Sequence, residues 1–295
     1  MSAPAHGNFP PGQRLVIFGC GYVGATVARQ AVARGLRVTA LTRNPAKAAR
    51  LAEAGIAVVV ADLASAEWHD RIEGGPDLVL NCVGSGGGGP EGYRRSYLEG
   101  TASVADWLRA RGAAGAVIYT SSTSVYPQDK GARVDETAPV GGDERVRVLI
   151  ETEEIFLRIA AKSRVVLRLA GIYGPGRHHL LEQVRSGQAS GRAENHLNLA
   201  YRDDIAAAVW AAWGAAAGGH TFNVADDGAA TKQEVVGWLA ARLGVAVPTF
   251  SGEPAAGRRA ATPDRIIVND RLKAALGWRP AYPSFREGYE KILSL

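Results

Sequence analysis

The ten residues LVIFGCGYVG, Leu15 to Gly24, decide the fold. Four apolar residues without polar alternation read as a strand buried on both faces, and the residues from Tyr22 to Arg34 carry a helical pattern. Between them stand Gly19, Gly21 and Gly24 in the order strand, glycine turn, helix. In that order, Gly19 permits a tight turn, Gly21 lets backbone approach a pyrophosphate, and Gly24 lets the helix pack on the strand. The free amides and positive dipole end of the helix then face the phosphates. A bound dinucleotide is the expectation, with Cys20, Tyr22 and Val23 as the intervening contacts.

Outward from this turn the rhythm is βαβαβ. Arg37 to Leu41 and Ala57 to Ala61 read as strands, with a helical stretch at Ala46 to Ala54 between them. Further strands are expected at Leu78 to Val83, Ala116 to Thr120 and Val165 to Leu169, separated by helices near Tyr93 to Arg111 and Arg145 to Ala161. Six parallel strands covered by helices make an α/β fold, a doubly wound parallel Rossmann sheet that holds ligands outside the carboxyl ends of its strands. After Ala170 the pattern shifts to turns, a helix after His178, a helix from Asp203 to Ala216, a strand at Thr221 to Val224 and a helix from Lys232 to Leu243. The expected organisation is a flexible tail over 1–13, a dinucleotide-binding domain over 14–170 and 199–226, and a small C-terminal substrate lobe over 171–198 and 227–295. Gly84 to Gly89 is the one low-complexity piece and reads as a mobile loop.

The chain has 295 residues, 46% of them hydrophobic and 21% charged, which suits a globular protein with a sizeable core. Its formal charge of +5 rests on scattered arginines without a basic block, which argues against nucleic acid as a partner. No apolar stretch is long enough for a membrane span, and the first residues lack a basic start followed by an apolar core. Cys20 and Cys82 end apolar runs and read as buried reduced thiols, in keeping with a cytoplasmic protein. The histidines lack ligand spacing, so no metal is expected.

The end of the second strand selects the dinucleotide. It reads Thr39-Ala40-Leu41-Thr42-Arg43-Asn44, without the carboxylate that would accept from a free ribose hydroxyl. Arg43 instead either pairs bidentately with a 2′-phosphate or is merely solvated, and Thr42 is expected at the cofactor; NADP is preferred, with NAD possible. Asp62 and Leu63 close the third strand. Asp62 either meets the adenine amino group or caps a helix.

Together these residues resemble the extended short-chain dehydrogenase/reductase superfamily, the NAD-dependent epimerase/dehydratase family, in an atypical branch. The resemblance runs over nearly the whole chain from Arg14. It adds Asn81 after the fourth strand, Thr120-Ser121-Ser122-Thr123-Ser124-Val125-Tyr126, Asp135-Glu136-Thr137-Ala138-Pro139, Arg168-Leu169-Ala170-Gly171-Ile172-Tyr173-Gly174-Pro175-Gly176-Arg177, and Tyr201-Arg202-Asp203-Asp204-Ile205-Ala206. The glycine spacing, Arg271-Leu272-Lys273 and Leu276-Gly277-Trp278 look like the atypical form.

Active members of that family carry a Tyr and, four residues later, a Lys on the helix after the fifth strand, and a Ser at that strand's end. Ser122 matches the Ser. The Tyr position falls near Arg145 to Arg147 and the Lys position near Leu149 to Glu151, yet Asp143 to Arg158 contains neither residue type. Proton relay by that dyad is therefore excluded on this alignment. Ser122, Tyr126 and His178 remain as catalytic candidates, Ser122 also being able to cap the strand end by backbone hydrogen bonds. Asn81, Val83 and Tyr173 are expected at the cofactor, and Ser124, Arg177 and Asn198 at the substrate. Arg147 reads as a cation near the nicotinamide ribose or as a solvated residue, and Asp203 or Asp204 as a helix cap. Arg177, Arg192, Arg258 and Arg259 are available to a sugar nucleotide's phosphates. The family implies a small-molecule substrate and a possible homodimer through the helices at Tyr93 to Arg111 and Arg145 to Ala161. Two functions follow: an oxidoreductase or epimerase acting on a carbonyl or sugar-nucleotide substrate without the dyad, or a non-catalytic NADP sensor or scaffold.

Overall fold

The computed structural model describes residues 9–85, 89–215, 218–253 and 262–295. Its centre is a seven-stranded, all-parallel sheet made of β1 (Arg14–Phe18), β2 (Arg37–Thr42), β3 (Ala57–Val60), β4 (Leu78–Asn81), β5 (Ala114–Ser122), β6 (Ala161–Leu169) and β7 (Gly218–Val224). The spatial order is β7-β6-β5-β4-β1-β2-β3, so the direction of winding reverses between β1 and β4. Phe18 of β1 pairs with Leu41 of β2 on one side and with Asn81 of β4 on the other. Ligands of such sheets bind at this reversal, beyond the carboxyl ends of the strands.

The sheet has one strand more than the six expected. In sequence, Thr221 to Val224 reads as a strand outside the main rhythm. It is the end of β7, which pairs with β6 from Gly218↔Ser163 to Val224↔Leu169. The chain leaves the sheet after β6, builds part of the lobe and returns, so sequence rhythm alone misses the pairing.

Helices α1 (Tyr22–Ala33), α2 (Pro45–Glu53), α3 (Gly89–Arg94), α4 (Gly100–Arg111), α5 (Glu144–Phe156), α6 (His179–Arg185) and α7 (Arg202–Trp213) follow in chain order. A π-helical turn at Arg95–Glu99 joins α3 to α4, splitting what reads as one helix from Tyr93 to Arg111. Helix α5 stops at Phe156 rather than Ala161, because Ala161 already pairs with Ala114 of β5. Two apolar clusters cover the two faces of the sheet, one around Leu15, Ile17, Val27 and Trp210, the other around Phe18, Trp68, Trp107 and Phe156. The expected tail is anchored from Phe9 onward: its ring lies 5.2 Å from that of Trp210, and Gly12 N donates to Gly35 O.

A buried polar chain crosses the carboxyl end of the sheet. Arg168 of β6 donates through Nε and Nη2 to both carboxylate oxygens of Glu153 on α5, Nη2 at 2.7 Å, and through Nη1 to the Tyr126 hydroxyl at 2.8 Å. Tyr126 donates to Asn223 Oδ1 on β7 at 2.8 Å, and Ser121 of β5 donates to Glu153 Oε1 at 2.6 Å. Four elements are thus tied by one satisfied network.

The lobe has its own apolar cluster, with Tyr173, Leu181, Val235, Leu239, Phe285 and Tyr289. The lobe comprises α6, α8 (Lys232–Leu243), α9 (Asp270–Leu276), α10 (Phe285–Leu293) and short strand pairs; α9 and the pair of 132–134 with 265–267 pack Leu272, Val134 and Ile267 into the cluster on the sheet rather than into the lobe's own. Neither aspartate at the start of α7 caps it, since Tyr201 holds that position without a side-chain cap. Asp203 pairs with Arg202 at 2.8 Å, while Asp204 accepts from Ala281 N and Tyr282 N at 2.7 and 3.0 Å and so clamps the C-terminal segment. Asp226, at the end of β7, is buried with Oδ2 lacking any hydrogen-bond partner. Burial, reinforced by the negative Asp227, Asp204 and Glu287, pushes its carboxyl up to about 8.

Two outcomes follow. Glu153→Ala leaves the Arg168 charge buried and uncompensated, and is expected to lower stability by about 3 to 5 kcal/mol in urea unfolding. Asp226 keeps its proton in the folded chain up to about pH 8, whereas an unfolded aspartate releases it near pH 4. Its contribution therefore falls as pH rises through that window and levels off above it. Asp226→Asn should flatten the decline in urea midpoint between those pH values and exceed the parent's stability at the alkaline end. A parallel decline in both proteins would contradict this.

Candidate functional site

Beyond the ends of β1, β2 and β4 lies an open cleft of about 950 Å³ lined by Gly19, Cys20, Gly21, Leu41, Thr42, Arg43, Asn44, Lys47, Asp62, Leu63, Cys82, Val83, Gly84 and Ser96, among others. Its floor is the glycine turn. Gly19 has φ +84°, and a Cβ there would stand 2.5 Å from Val83 Cα, so the turn and the end of β4 approach closer than any side chain allows. A Cβ on Gly24 would meet Cys82 Sγ and Gly19 O at 2.7 Å each. Gly21 differs, since the nearest atom to a Cβ there would be 3.9 Å away, leaving a free face toward the cleft.

Helix α1 begins here without a side-chain cap and without an acidic residue in its first turn. Its amides and dipole end are uncompensated, an arrangement fitted to an anion. Glycine cradle and bare helix end together fit a dinucleotide's pyrophosphate.

At the other end of the cleft, Arg43 is exposed beyond β2, and Lys47 stands in the first turn of α2, whose N-cap Asn44 accepts from Lys47 N at 3.0 Å. Sequence reasoning misses Lys47, Asn44 and Ser96. The signal for Lys47 is its place four residues after Arg43, at a helix start. Asp62 accepts from Ala64 N at 3.0 Å and from Arg95 Nε at 2.9 Å. It forms a turn and an ion pair rather than a helix cap, and its Ala64 and Arg95 partners outweigh partial burial and hold its carboxyl below the usual range.

Several expected site residues have other places. Val23 packs in the core at 7% exposure. Asn81 is fully buried and donates to Thr101 Oγ1 of α4 at 3.0 Å, bracing a helix rather than lining the cleft. Tyr173 lies in the lobe core, edge-on to Tyr201 at 5.3 Å, and its hydroxyl donates to Ser284 O, so its ring is withdrawn from the cofactor cleft. Asn198 donates to Arg265 O and accepts from Ile267 N, which commits its amide to a strand 67 residues away. Tyr126 is locked in the Arg168 network at 1% exposure, and burial raises its pKa, so it is not placed to exchange protons with a ligand.

Tyr22 sits at the first position of α1, outside the cleft lining, and donates to Pro175 O at 2.8 Å. That bond joins the glycine turn to a tight hairpin closed by reciprocal Gly174 and Arg177 backbone bonds of 3.0 Å. Arg177 and Arg202 stand over the Tyr22 ring at 5.7 and 5.3 Å. Ser122, half-buried at the end of β5, accepts from Ser124 N at 3.1 Å, which leaves its own proton to donate. His178 precedes α6 with Nε2 3.9 Å from Glu182 and a buried Nδ1 lacking a partner. Helix α5 carries neither Tyr nor Lys. Arg258 and Arg259 lie outside the described residues.

Among the described residues no group of three or more His, Cys, Asp or Glu stands ready for a metal ion, and no helix is long and apolar enough to cross a membrane.

Residues 15–225 match the model of the NAD dependent epimerase/dehydratase family. A reductase of Streptomyces sp, 3-diazoavenalumate denitrifying reductase, is 30% identical over 308 residues, covering 93% of this chain and 98% of its own. Protein YeeZ of Escherichia coli K12 is 27% identical over 277 residues, covering 92% and 97%. A solved structure of a functionally unknown conserved protein from Silicibacter pomeroyi superposes with a TM-score of 0.78 at 26% identity, over 96% of this chain and 98% of that one. The Rossmann sheet, the glycine cradle and the match over most of its length together place this chain in the NAD dependent epimerase/dehydratase family.

Proposed function

We propose that the chain is an oxidoreductase of this family that takes NADP and acts on a small carbonyl or sugar-nucleotide substrate without a Tyr/Lys dyad. The observation that carries the reading is the far end of the cleft, which Arg43 and Lys47 both line and where β2 ends without a carboxylate. Arg43 would pair its fork with a 2′-phosphate, and Lys47 would add charge beside it. The turn from Gly19 to Gly21 and the start of α1 would hold the pyrophosphate. Bound there, the dinucleotide supplies a hydride donor or acceptor.

The chain's own residues supply the rest. Ser122 presents a donor hydroxyl at the end of β5. Ser124 and Arg177 are the substrate contacts of the proposal, and His178, whose ring nitrogen Nδ1 lacks a partner, is the candidate proton source. The reductase named among the relatives favours hydride transfer to a substrate over epimerisation. Two free thiols, the buried Cys20 and the half-buried Cys82, suit a cytoplasmic setting, and α4 and α5, packed side by side, are the surface on which two copies would pair.

The second reading, a non-catalytic NADP sensor, draws on α5 without Tyr or Lys and on a Tyr126 committed to structure. The two separate in one experiment. The protein is titrated with NADPH and with NADH, following cofactor fluorescence, and then supplied with a panel of carbonyl compounds and sugar nucleotides while the absorbance of the reduced cofactor is recorded. Turnover favours the enzyme; binding without turnover favours the sensor; failure to bind either nucleotide sinks both.

Arg43→Ala is expected to weaken NADPH roughly ten- to a hundredfold, the worth of a charge-assisted pair, while leaving NADH unaffected. Equal losses for both would remove the NADP assignment. Gly21→Ala meets only Gly19 O at an ordinary contact distance of 3.9 Å and should keep the parent melting temperature while weakening both dinucleotides at least about tenfold. Gly24→Ala, which meets Cys82 and Gly19, should instead lower the melting temperature.

A further inference from the structure

Arg265 lies on the short lobe strand 265–267 at 5% exposure. Its Nη2 donates to Thr123 O at 3.0 Å, between Ser122 and Ser124, while its Nε and Nη1 are buried without a hydrogen-bond partner. A guanidinium has five N–H donors, and one carbonyl is the acceptor found for this one. The neighbouring carboxylates make no hydrogen bond to the guanidinium, although the negative charge of Asp129 favours its charged form. Asp129 Oδ1 accepts from Asp264 N at 2.6 Å, and Asp264 Oδ1 accepts from both His196 N and His196 Nδ1 at 2.8 Å.

A buried charge whose donors lack hydrogen-bond partners is among the most costly features a fold can carry. Arg168, equally buried, has Glu153 as its bidentate partner; Arg265 has no equivalent among the described residues. Its main chain is nonetheless held firmly, by Asn198 on its carbonyl and by parallel pairing with Ala132. The side chain is therefore held in place beside the one turn that carries both Ser122 and Ser124, with two buried donor groups unpartnered.

We propose that Arg265 binds the anionic group, carboxylate or phosphoryl, of the substrate that enters between the end of β5 and the lobe. This rests on the reading of that end of β5 as the substrate side. The anion would accept from Nε–H or, on the other edge of the guanidinium, from Nη1–H, while Nη2 stays on Thr123 O and keeps the turn in register. Substrates lacking such a group would leave the guanidinium unpaired, so selectivity for anionic substrates follows from the desolvated donor set.

The test is thermal unfolding of the intact protein titrated with benzoate and with inorganic phosphate at constant ionic strength, with benzamide as the neutral control. The parent should be stabilised by at least one of the two anions and not by benzamide. A benzoate response identifies the carboxylate form, and a phosphate response that Arg265→Met removes identifies the phosphoryl form. Arg265→Met should need at least about tenfold more anion for the same shift, and without anion should melt no lower than the parent. If Arg265→Met fails to fold, the titration is read on Arg265→Lys, which keeps the charge but loses the fork. No response in the parent, or the same response in parent and variant, overturns the proposal. NADPH binding, followed separately by fluorescence, reports on the function proposed above, so failure of that reading is distinguishable from failure of the anion site.

Discussion

The Glu153–Arg168 ion pair is the constraint on which the carboxyl end of the sheet depends. Two full charges buried at this depth are tolerable only because each is answered: Arg168 by the carboxylate and a phenol, Glu153 by the guanidinium and Ser121. The pair spans α5 and β6, and through Tyr126 it reaches Asn223 on β7, whose Nδ2 donates to Val268 O in the lobe. Removing any member leaves a desolvated polar atom, so the network can be kept or lost only as a whole. The turn bearing Ser122 and Ser124 is built directly above it, and the position of those hydroxyls is inherited from the network's rigidity.

A second constraint acts at the opposite side of the winding reversal. There the chain brings backbone against backbone, Gly19 against Val83 and Gly24 against Cys82, and so opens a cleft whose floor is amide rather than side chain. The two regions use contrary means. One excludes water and fills every valence; the other leaves amides and cations unfilled. That difference separates scaffold from site more cleanly than residue type does, since arginine serves in both, paired at Arg168 and exposed at Arg43.

The same distinction explains what the chain reveals before it is folded. The run Leu15 to Phe18 with its glycines is local, and so are the apolar strands up to β6 and the missing carboxylate after β2; a reader of sequence has all of that information within a few residues. The misplaced residues are those whose partners are remote. Tyr173 finds Ser284, Asn198 finds Arg265, and Tyr126 finds Asn223 about a hundred residues on. A tyrosine in a glycine-rich segment after a strand looks like a ligand contact until the aromatic stack of the lobe closes over it. The seventh strand is hidden for the same reason, because the lobe segment between β6 and β7 interrupts the alternation. Arg265 gives no signal at all: an arginine two residues after a proline reads as surface, and only packing makes it a buried charge.

The hydroxyl of Tyr22, bonded to Pro175 O, has a consequence for how the two halves of the molecule can vary. The first residue of the helix that closes the glycine cradle is also a wall of the hairpin leading into the lobe, with two arginines resting on its ring. One side chain thus belongs to two compartments. A change in the size or polarity of that residue is felt on both sides at once, and remodelling of the lobe for a new ligand is limited by what the cradle beneath it will tolerate.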